Sequence, residues 1–256
     1  MPQSPDILEF TCNICEAKNQ AATRDLMREA PTCTSCGSTV RWRSVIHALS
    51  LGLFGYSLGI WDFPNRQDLV GIGLSDWLGY AKRLPLRLAY RNTFYDEDPR
   101  LDITDPPDEL EGKLDFLIAS DVFEHVEPPV ERAFVGSLRI LKPGGLLVLT
   151  VPYSREGNTE EHFVNLHEYE IFDFKGRQIL VNRTADKQWE VFEEPIFHGG
   201  PGATLEMRQF SGDAVLEQLR AAGFVDVVLC EEAVPEFGII WPLRHGLPML
   251  ASRPRN

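Results

Sequence analysis

Four cysteines stand in two identical pairs, Cys12-x2-Cys15 and Cys33-x2-Cys36, with seventeen residues between the pairs. A C-x2-C turn brings two thiolates to one metal ion. A second such turn completes the tetrahedral sulfur shell that Zn²⁺ favours. The spacing predicts a small metal-held module with little core of its own. Two disulfides are the competing reading, and Met1–Asp6, without a basic start or an apolar run, lends them little support. Cys230 falls in an apolar run and reads as a small buried residue.

A second group of residues is suited to holding a nucleotide-like ligand. The apolar run DLVGI, residues 68–72, leads into Gly71-Ile72-Gly73-Leu74-Ser75-Asp76. Glycines at the end of a buried strand let a ligand approach the backbone, although the third glycine of a dinucleotide-binding loop is missing. Nineteen residues after Gly73 stands Asn92, where a carboxylate would grip ribose hydroxyls. An amide offers the same diol weaker, uncharged hydrogen bonds. Histidines form a third group, because their ordinary pKa lets them take a proton near neutrality. His125 follows Glu124, and His162, His167 and His198 fall in a polar, aromatic stretch at 153–208.

These groups need elements to position them. Apolar runs at 68–72, 86–90, 114–119, 146–151, 225–230 and 248–252 read as strands. Between them, 77–84, 129–141 and 211–222 read as helices, the last with Ser211 as N-cap and Gly223 past its end. Val45, Ile46, Leu49 and Phe54 give an amphipathic helix from Arg41 onward. Alternation of this kind implies a parallel sheet with helices on both faces. The expected division is a metal module at 1–40, a connecting helix at 41–60, and an α/β domain at 61–256 with an insertion at 153–208.

The net charge is −13, and residues 1–50 balance, so the excess acidity lies in 51–256. An acidic body weighs against a nucleic-acid partner. The longest apolar stretch, Leu49–Trp61, has thirteen residues with three glycines, too short for a bilayer that needs about 20. The reading is a cytoplasmic protein with reduced thiols, without a membrane segment.

The stretch LDFLIASDVFEHVEPPVERAFVGSLRILKPGGLLVLTVP, residues 114–152, closely resembles class I S-adenosylmethionine-dependent methyltransferases. Asp115, Glu124, His125, Lys142, Pro143, Gly144 and Gly145 sit where that family's pattern asks, and Leu101-Asp102-Ile103 resembles its segment after strand three. The likeness covers 66–152 well and 211–252 loosely. It departs in two places: Gly71 or Leu69 replaces the acidic opener of the glycine loop, and Asn92 replaces the ribose carboxylate. The E-H-V and K-P-G-G segments argue against a nicotinamide dehydrogenase.

The resemblance implies a Rossmann-like, doubly wound, mostly parallel seven-stranded sheet behind a small zinc-ribbon-like module, with S-adenosyl-L-methionine and Zn²⁺ as cofactors. Cofactor contacts are then expected from Gly71, Gly73, Ser75, Asp76, Asn92, Asp102, Ile103, Ser120, Asp121 and His125. The expected activity is methyl transfer to a small-molecule acceptor, an oxygen of a sugar-derived or secondary metabolite. One of His125, His167 or His198 would serve as base. Residues 153–208 would form the acceptor lid, with Tyr153, Glu170 and Arg208 on the acceptor, although Arg208 could equally pair with Glu206 or Asp213. Arg41-Trp42-Arg43 would bind an acidic acceptor or pair with the acidic body. An RNA methyltransferase that docks substrate on its metal module, and a scaffold that has lost its cofactor, are the alternatives.

Overall fold

Stretches buried on both faces build the centre of the sheet, as parallel strands covered by helices require: 71–74, 116–120 and 145–150. The computed structural model describes residues 6–155, 157–198 and 204–255, and the side chain of His198, one of the three expected bases, lies outside that description. The chain runs through β1 (Ile7–Thr11), β2 (Lys18–Ala22), α1 (Val40–Phe54), β3 (Arg66–Leu74), α2 (Leu78–Ala81), β4 (Leu88–Thr93) and β5 (Leu114–Ser120). After α3 (Glu131–Ile140) and β6 (Leu141–Thr150) come the short strands β7 (Tyr153–Ser154), β8 (Glu160–Glu161), β9 (Glu168–Phe174) and β10 (Arg177–Arg183). Then follow β11 (Trp189–Phe192), β12 (Phe197–His198), β13 (Thr204–Leu205) and β14 (Arg208–Ser211). The chain closes with α4 (Gly212–Ala222), β15 (Val225–Leu229) and β16 (Met249–Ser252).

The main sheet has six strands in the order β15-β16-β6-β5-β3-β4. β4, β3, β5 and β6 are parallel, while β16 and β15 join antiparallel. The chain leaves β3 for β4 on one side and crosses to β5 on the other. The reversal lies between β3 and β5, where open sheets of this kind bind ligands beyond their carboxyl ends. The strand count is a correction, since seven were expected. Residues 94–101 fold back on themselves instead: the Phe94 N–H donates to Pro99 O, the Leu101 N–H donates to Phe94 O, and a lone bridge joins Phe94 to Arg100.

α3 and α4 cover one face, packing Phe134, Val215 and Leu219 on Leu117, Leu147 and Met249. The other face is covered by α1, whose Val45, Ile46 and Leu49 share a core with Phe116, Ile118 and Val148. Cys12, Ile14 and Cys33 belong to that same core. The amino-terminal residues are thus continuous with the main domain's interior. α1 is capped by Thr39, whose side chain accepts from Trp42 N, and ends at Gly55 with φ 83°. It was expected to be amphipathic, yet residues 40–50 are buried on all sides except at Trp42. The sheet occupies one flank of the helix and the cysteine module the other, which leaves no wet face to polarise.

Gly136 shows how tightly α3 sits on the segment 101–104. A Cβ built there would lie 1.9 Å from the carbonyl oxygen of Ile103. Helix propensity alone favours Gly136→Ala by about 1 kcal/mol. Overpacking against backbone costs roughly 1–3 kcal/mol. The clash should win, lowering the urea midpoint; an unchanged or higher midpoint would show that the segment yields.

Candidate functional site

At the carboxyl end of β3 the chain turns through Ser75, held in the left-handed region at φ 52°, into Asp76. The Asp76 carboxylate is buried and accepts from both Tyr80 Oη and Tyr90 Oη at 2.7 Å. Burial pushes its pKa up to about 7 despite the two hydroxyls. Gly73 serves this arrangement, because a Cβ there would meet Asp76 Oδ2 at 2.0 Å and Tyr90 Oη at 2.1 Å. Gly71 makes room in the same way for the Phe116 ring, 2.1 Å from a built Cβ. Asn92, at the end of β4, has both halves of its amide on the loop: Oδ1 accepts from Asp76 N and Nδ2 donates to Asp76 O, each at 2.9 Å. In this structure Gly71, Gly73 and Asn92 build the loop. Asp102 accepts from Thr104 N and Thr104 Oγ1 at 2.9 and 2.7 Å, beside buried Ile103.

The end of β5 carries the densest charge in the site. Asp121, at φ 54°, receives a two-pronged salt bridge from Arg28 at 2.6 and 2.8 Å. Arg41 Nε lies 3.2 Å from Asp121 Oδ2, and Arg41 also donates to Ser120 Oγ at 2.9 Å. Thr150 Oγ1, at the end of β6, donates to Asp121 Oδ1 at 2.9 Å. Burial alone would raise the Asp121 pKa; the Arg28 guanidinium, then Arg41 and Thr150, overcome it and hold the carboxyl well below its usual range. Glu124 is wholly buried in the turn Phe123–His125 that follows, and burial together with the Asp121 charge pushes its carboxyl well above the usual range. Its Oε1 lies 3.8 Å from His125 Nε2. His125 Nδ1 lies 2.6 Å from the carbonyl oxygen of Leu205. A carbonyl only accepts, so the proton belongs on Nδ1, and Nε2 carries the lone pair.

The insertion is anchored on this turn. Met207 N donates to Glu124 O at 2.7 Å, and Tyr169 Oη donates to Glu127 at 3.0 Å. Arg208 is fully buried and donates to Phe123 O, Val126 O and Glu161 at 3.0, 2.7 and 2.6 Å. This corrects its expected place on the acceptor, and also its alternative pairing with Glu206 or Asp213: the guanidinium braces β14 and β8 against that turn. His167 and Glu170 are exposed on the lid. Tyr153 is buried, and its hydroxyl accepts from Leu247 N at 3.3 Å. It lines a cavity of about 160 Å³ with Arg155, Asp213, Leu216, Glu231 and Arg244. β5 therefore brings Ser120, Asp121 and His125 to one rim, while the other two expected bases and Glu170 belong to the insertion. Arg28 was not anticipated, and nothing in its sequence context marks it. Arg41 was, but as one member of a basic trio.

The four cysteine Sγ atoms lie within 4.8 Å of one another, with Cys12–Cys36 at 3.8 Å and Cys15–Cys33 at 3.5 Å. A tetrahedral ion with bonds of about 2.3 Å needs sulfurs about 3.8 Å apart, so the set fits a zinc-sized cation. Asn19 Nδ2 donates to Cys33 Sγ at 3.5 Å, and Ser38 Oγ lies 3.3 Å from Cys12 Sγ, which orients two of the four ligands. All five cysteines are free thiols. The rim's donor set also fits an adenosyl amino acid. It offers paired charges in Asp121, Arg28 and Arg41, the Asp102 carboxylate beside an apolar Ile103, and a buried carboxyl in Glu124.

Residues 97–149 match the family model described as "Methyltransferase domain". That span contains β5, the Glu124–His125 turn, α3 and nearly all of β6. With the sheet's order and switch point, the match supports a methyltransferase domain built on those strands. A structure of 1,6-didemethyltoxoflavin-N1-methyltransferase from Burkholderia thailandensis is similar at 16% identity over 84% of this chain and 78% of that one, with TM-score 0.45. The sugar N-methyltransferase KedS8 from Streptoalloteichus sp. is similar at 13% identity, 82% and 88% coverage and TM-score 0.43. An S-adenosylmethionine-dependent methyltransferase from Clostridium acetobutylicum gives 11%, 73% and 86%, and 0.42. No curated protein sequence matches the chain. Among the described residues, no helix is long and apolar enough to cross a membrane.

The Asp76 pKa has a measurable consequence. The folded chain holds a proton on Asp76 that the unfolded chain has released, so stability falls as pH rises from about 4 to about 7 and then levels off. This group contributes at most about 1.4 kcal/mol per pH unit over that window. Asp76→Asn should flatten the profile by one proton's worth in urea titrations. A slope unchanged in the variant would reassign the proton.

Proposed function

We propose that this enzyme methylates an oxygen of a small-molecule acceptor, sugar-derived or otherwise a secondary metabolite. The observation that carries the reading is the pairing of His125 and Glu124 at the end of β5. The bound cofactor supplies an electrophilic methyl group on a sulfonium. A hydroxyl acceptor must lose a proton as it attacks, and His125 Nε2 is the basic nitrogen at the rim. The Leu205 carbonyl fixes its tautomer, and the buried Glu124 carboxyl lies beside it, with Oε1 3.8 Å from Nε2. Gly71 to Asp76, Asn92, Asp102, Ile103, Ser120 and Asp121 surround the cofactor in this reading. The insertion closes over the acceptor, with Tyr153 and Glu170 as its contacts.

Zn²⁺ at Cys12, Cys15, Cys33 and Cys36 completes the proposal, in a structural role. The close sulfur set and its two oriented ligands support it.

Calorimetry with S-adenosylhomocysteine tests the cofactor assignment, and absence of heat with metal-replete protein would sink it. His125→Gln should lower turnover by about 10²-fold or more while leaving S-adenosylhomocysteine affinity within a factor of about three. Turnover near wild type would move the base elsewhere. For the metal, Cys33→Ser should lose bound zinc by elemental analysis and unfold at lower temperature. Wild-type protein purified without any metal would end that assignment.

A further inference from the structure

The cysteine module touches the ligand crevice from two sides, through Arg28 between the two cysteine pairs and through Arg41 and Trp42 just beyond the last cysteine. Cys36 is followed by Ser38, whose carbonyl and hydroxyl accept from Arg43, and by Thr39, the cap of α1. Arg41 and Trp42 therefore leave the module in fixed directions. The Arg41 N–H donates to Arg28 O at 3.0 Å, which ties the 24–30 segment to the same helix end. On one side of the crevice, Arg28 and Arg41 grip Asp121 and Ser120. On the other, the Trp42 ring stacks on Trp77, with centroids 4.1 Å apart and planes 2° from parallel. Trp77 directly follows Asp76. Arg28 Nε also donates to Gly246 O at 2.9 Å, so the same side chain holds the loop before β16.

Asp121 is the residue on which this matters most. A non-glycine residue at positive φ carries a cost of about 1–3 kcal/mol and persists only where its surroundings over-determine it. Here Arg28 of the module, Arg41 at the start of α1 and Thr150 do so.

We infer that the metal module is a working half of the cofactor site. Arg28, Arg41 and Trp42 are its positioning residues, and metal at the four cysteines sets the geometry of both the Asp121 strand end and the Ser75–Asp76 loop. This rests on the zinc and methyltransferase readings given above. It predicts that metal and cofactor bind with positive coupling, although no cysteine lies among the expected cofactor contacts.

The test uses the full chain loaded with zinc. Two indoles stacked 4.1 Å apart couple excitonically and give a circular dichroism couplet when their in-plane axes are turned relative to each other, and Trp42→Phe identifies which signal is theirs. Chelation should abolish the couplet and weaken S-adenosylhomocysteine binding by about tenfold or more, with zinc restoring both. Arg28→Gln should keep its full metal content and the couplet, yet bind S-adenosylhomocysteine about tenfold more weakly. Arg28→Lys, which keeps the charge but loses the fork and serves if the glutamine variant does not fold, should recover part of that loss. A couplet indifferent to metal, or Arg28 variants that bind S-adenosylhomocysteine like wild type, would overturn the inference. The couplet needs no cofactor. Failure of wild type to bind S-adenosylhomocysteine strikes the methyltransferase reading, while the couplet's response still decides the linkage.

Discussion

The ion cluster on Asp121 is the interaction that joins the two parts of this chain. Arg28 is 93 residues away in sequence, and its side chain is only 8% exposed where it meets an aspartate 3% exposed. Taking such charges out of water costs several kcal/mol each, and only good geometry with further hydrogen bonds offsets it. The two-pronged bridge, the second arginine and the Thr150 hydroxyl supply that geometry. Glu29 pairs with both arginines at the cluster's outer edge, which brings the local charge to balance. Removing any one member would leave a buried charge uncompensated. The cysteine module cannot shift without disturbing the end of β5.

Three carboxyls at one rim sit in three electrostatic conditions. Asp121 is held ionised by arginines. Asp76 is pushed toward neutrality by burial, with two tyrosine hydroxyls in attendance. Glu124 is pushed well above the usual carboxylate range by burial and by the Asp121 charge next to it. Environments that drive like groups apart in pKa are how one site holds acid and base together at neutral pH. The left-handed residues Ser75 and Asp121 stand at the ends of adjacent strands and aim these groups at the same crevice.

The cysteine register and the continuous run from Leu114 to Val151 carry chemistry in local spacing, so the close set of four cysteines, β5, α3 and β6 were legible from sequence. Alternating apolar runs likewise placed all six strands of the main sheet, with edges shifted by a few residues. The seventh strand was implied by resemblance and is absent from the main sheet among the described residues, where those before Leu101 pair with one another rather than with β4. Long-range electrostatics were not legible. Nothing local marks Arg28 as the partner of Asp121, and nothing local shows that the Asn92 amide bonds the Asp76 backbone. The fold decides which charges meet, and spacing along a chain is silent about that. Arg208 failed for a similar reason: a lone arginine in a polar insert looks exposed, whereas three acceptors draw this one entirely inside.

The insertion is more than a cover. The carbonyl that fixes the His125 tautomer belongs to Leu205 on β13, and Arg208 and Met207, a few residues on, bind the backbone of the same turn. The proposed base and the insertion are therefore held by one set of hydrogen bonds. If the lid lifted, Nδ1 would lose its acceptor and the ring could exchange tautomers, taking the lone pair off the nitrogen beside Glu124. An acceptor that fails to hold the lid down would then meet a histidine in the wrong tautomer. Under the proposed function, selectivity for the acceptor and readiness for proton transfer would be set by the same hydrogen bond.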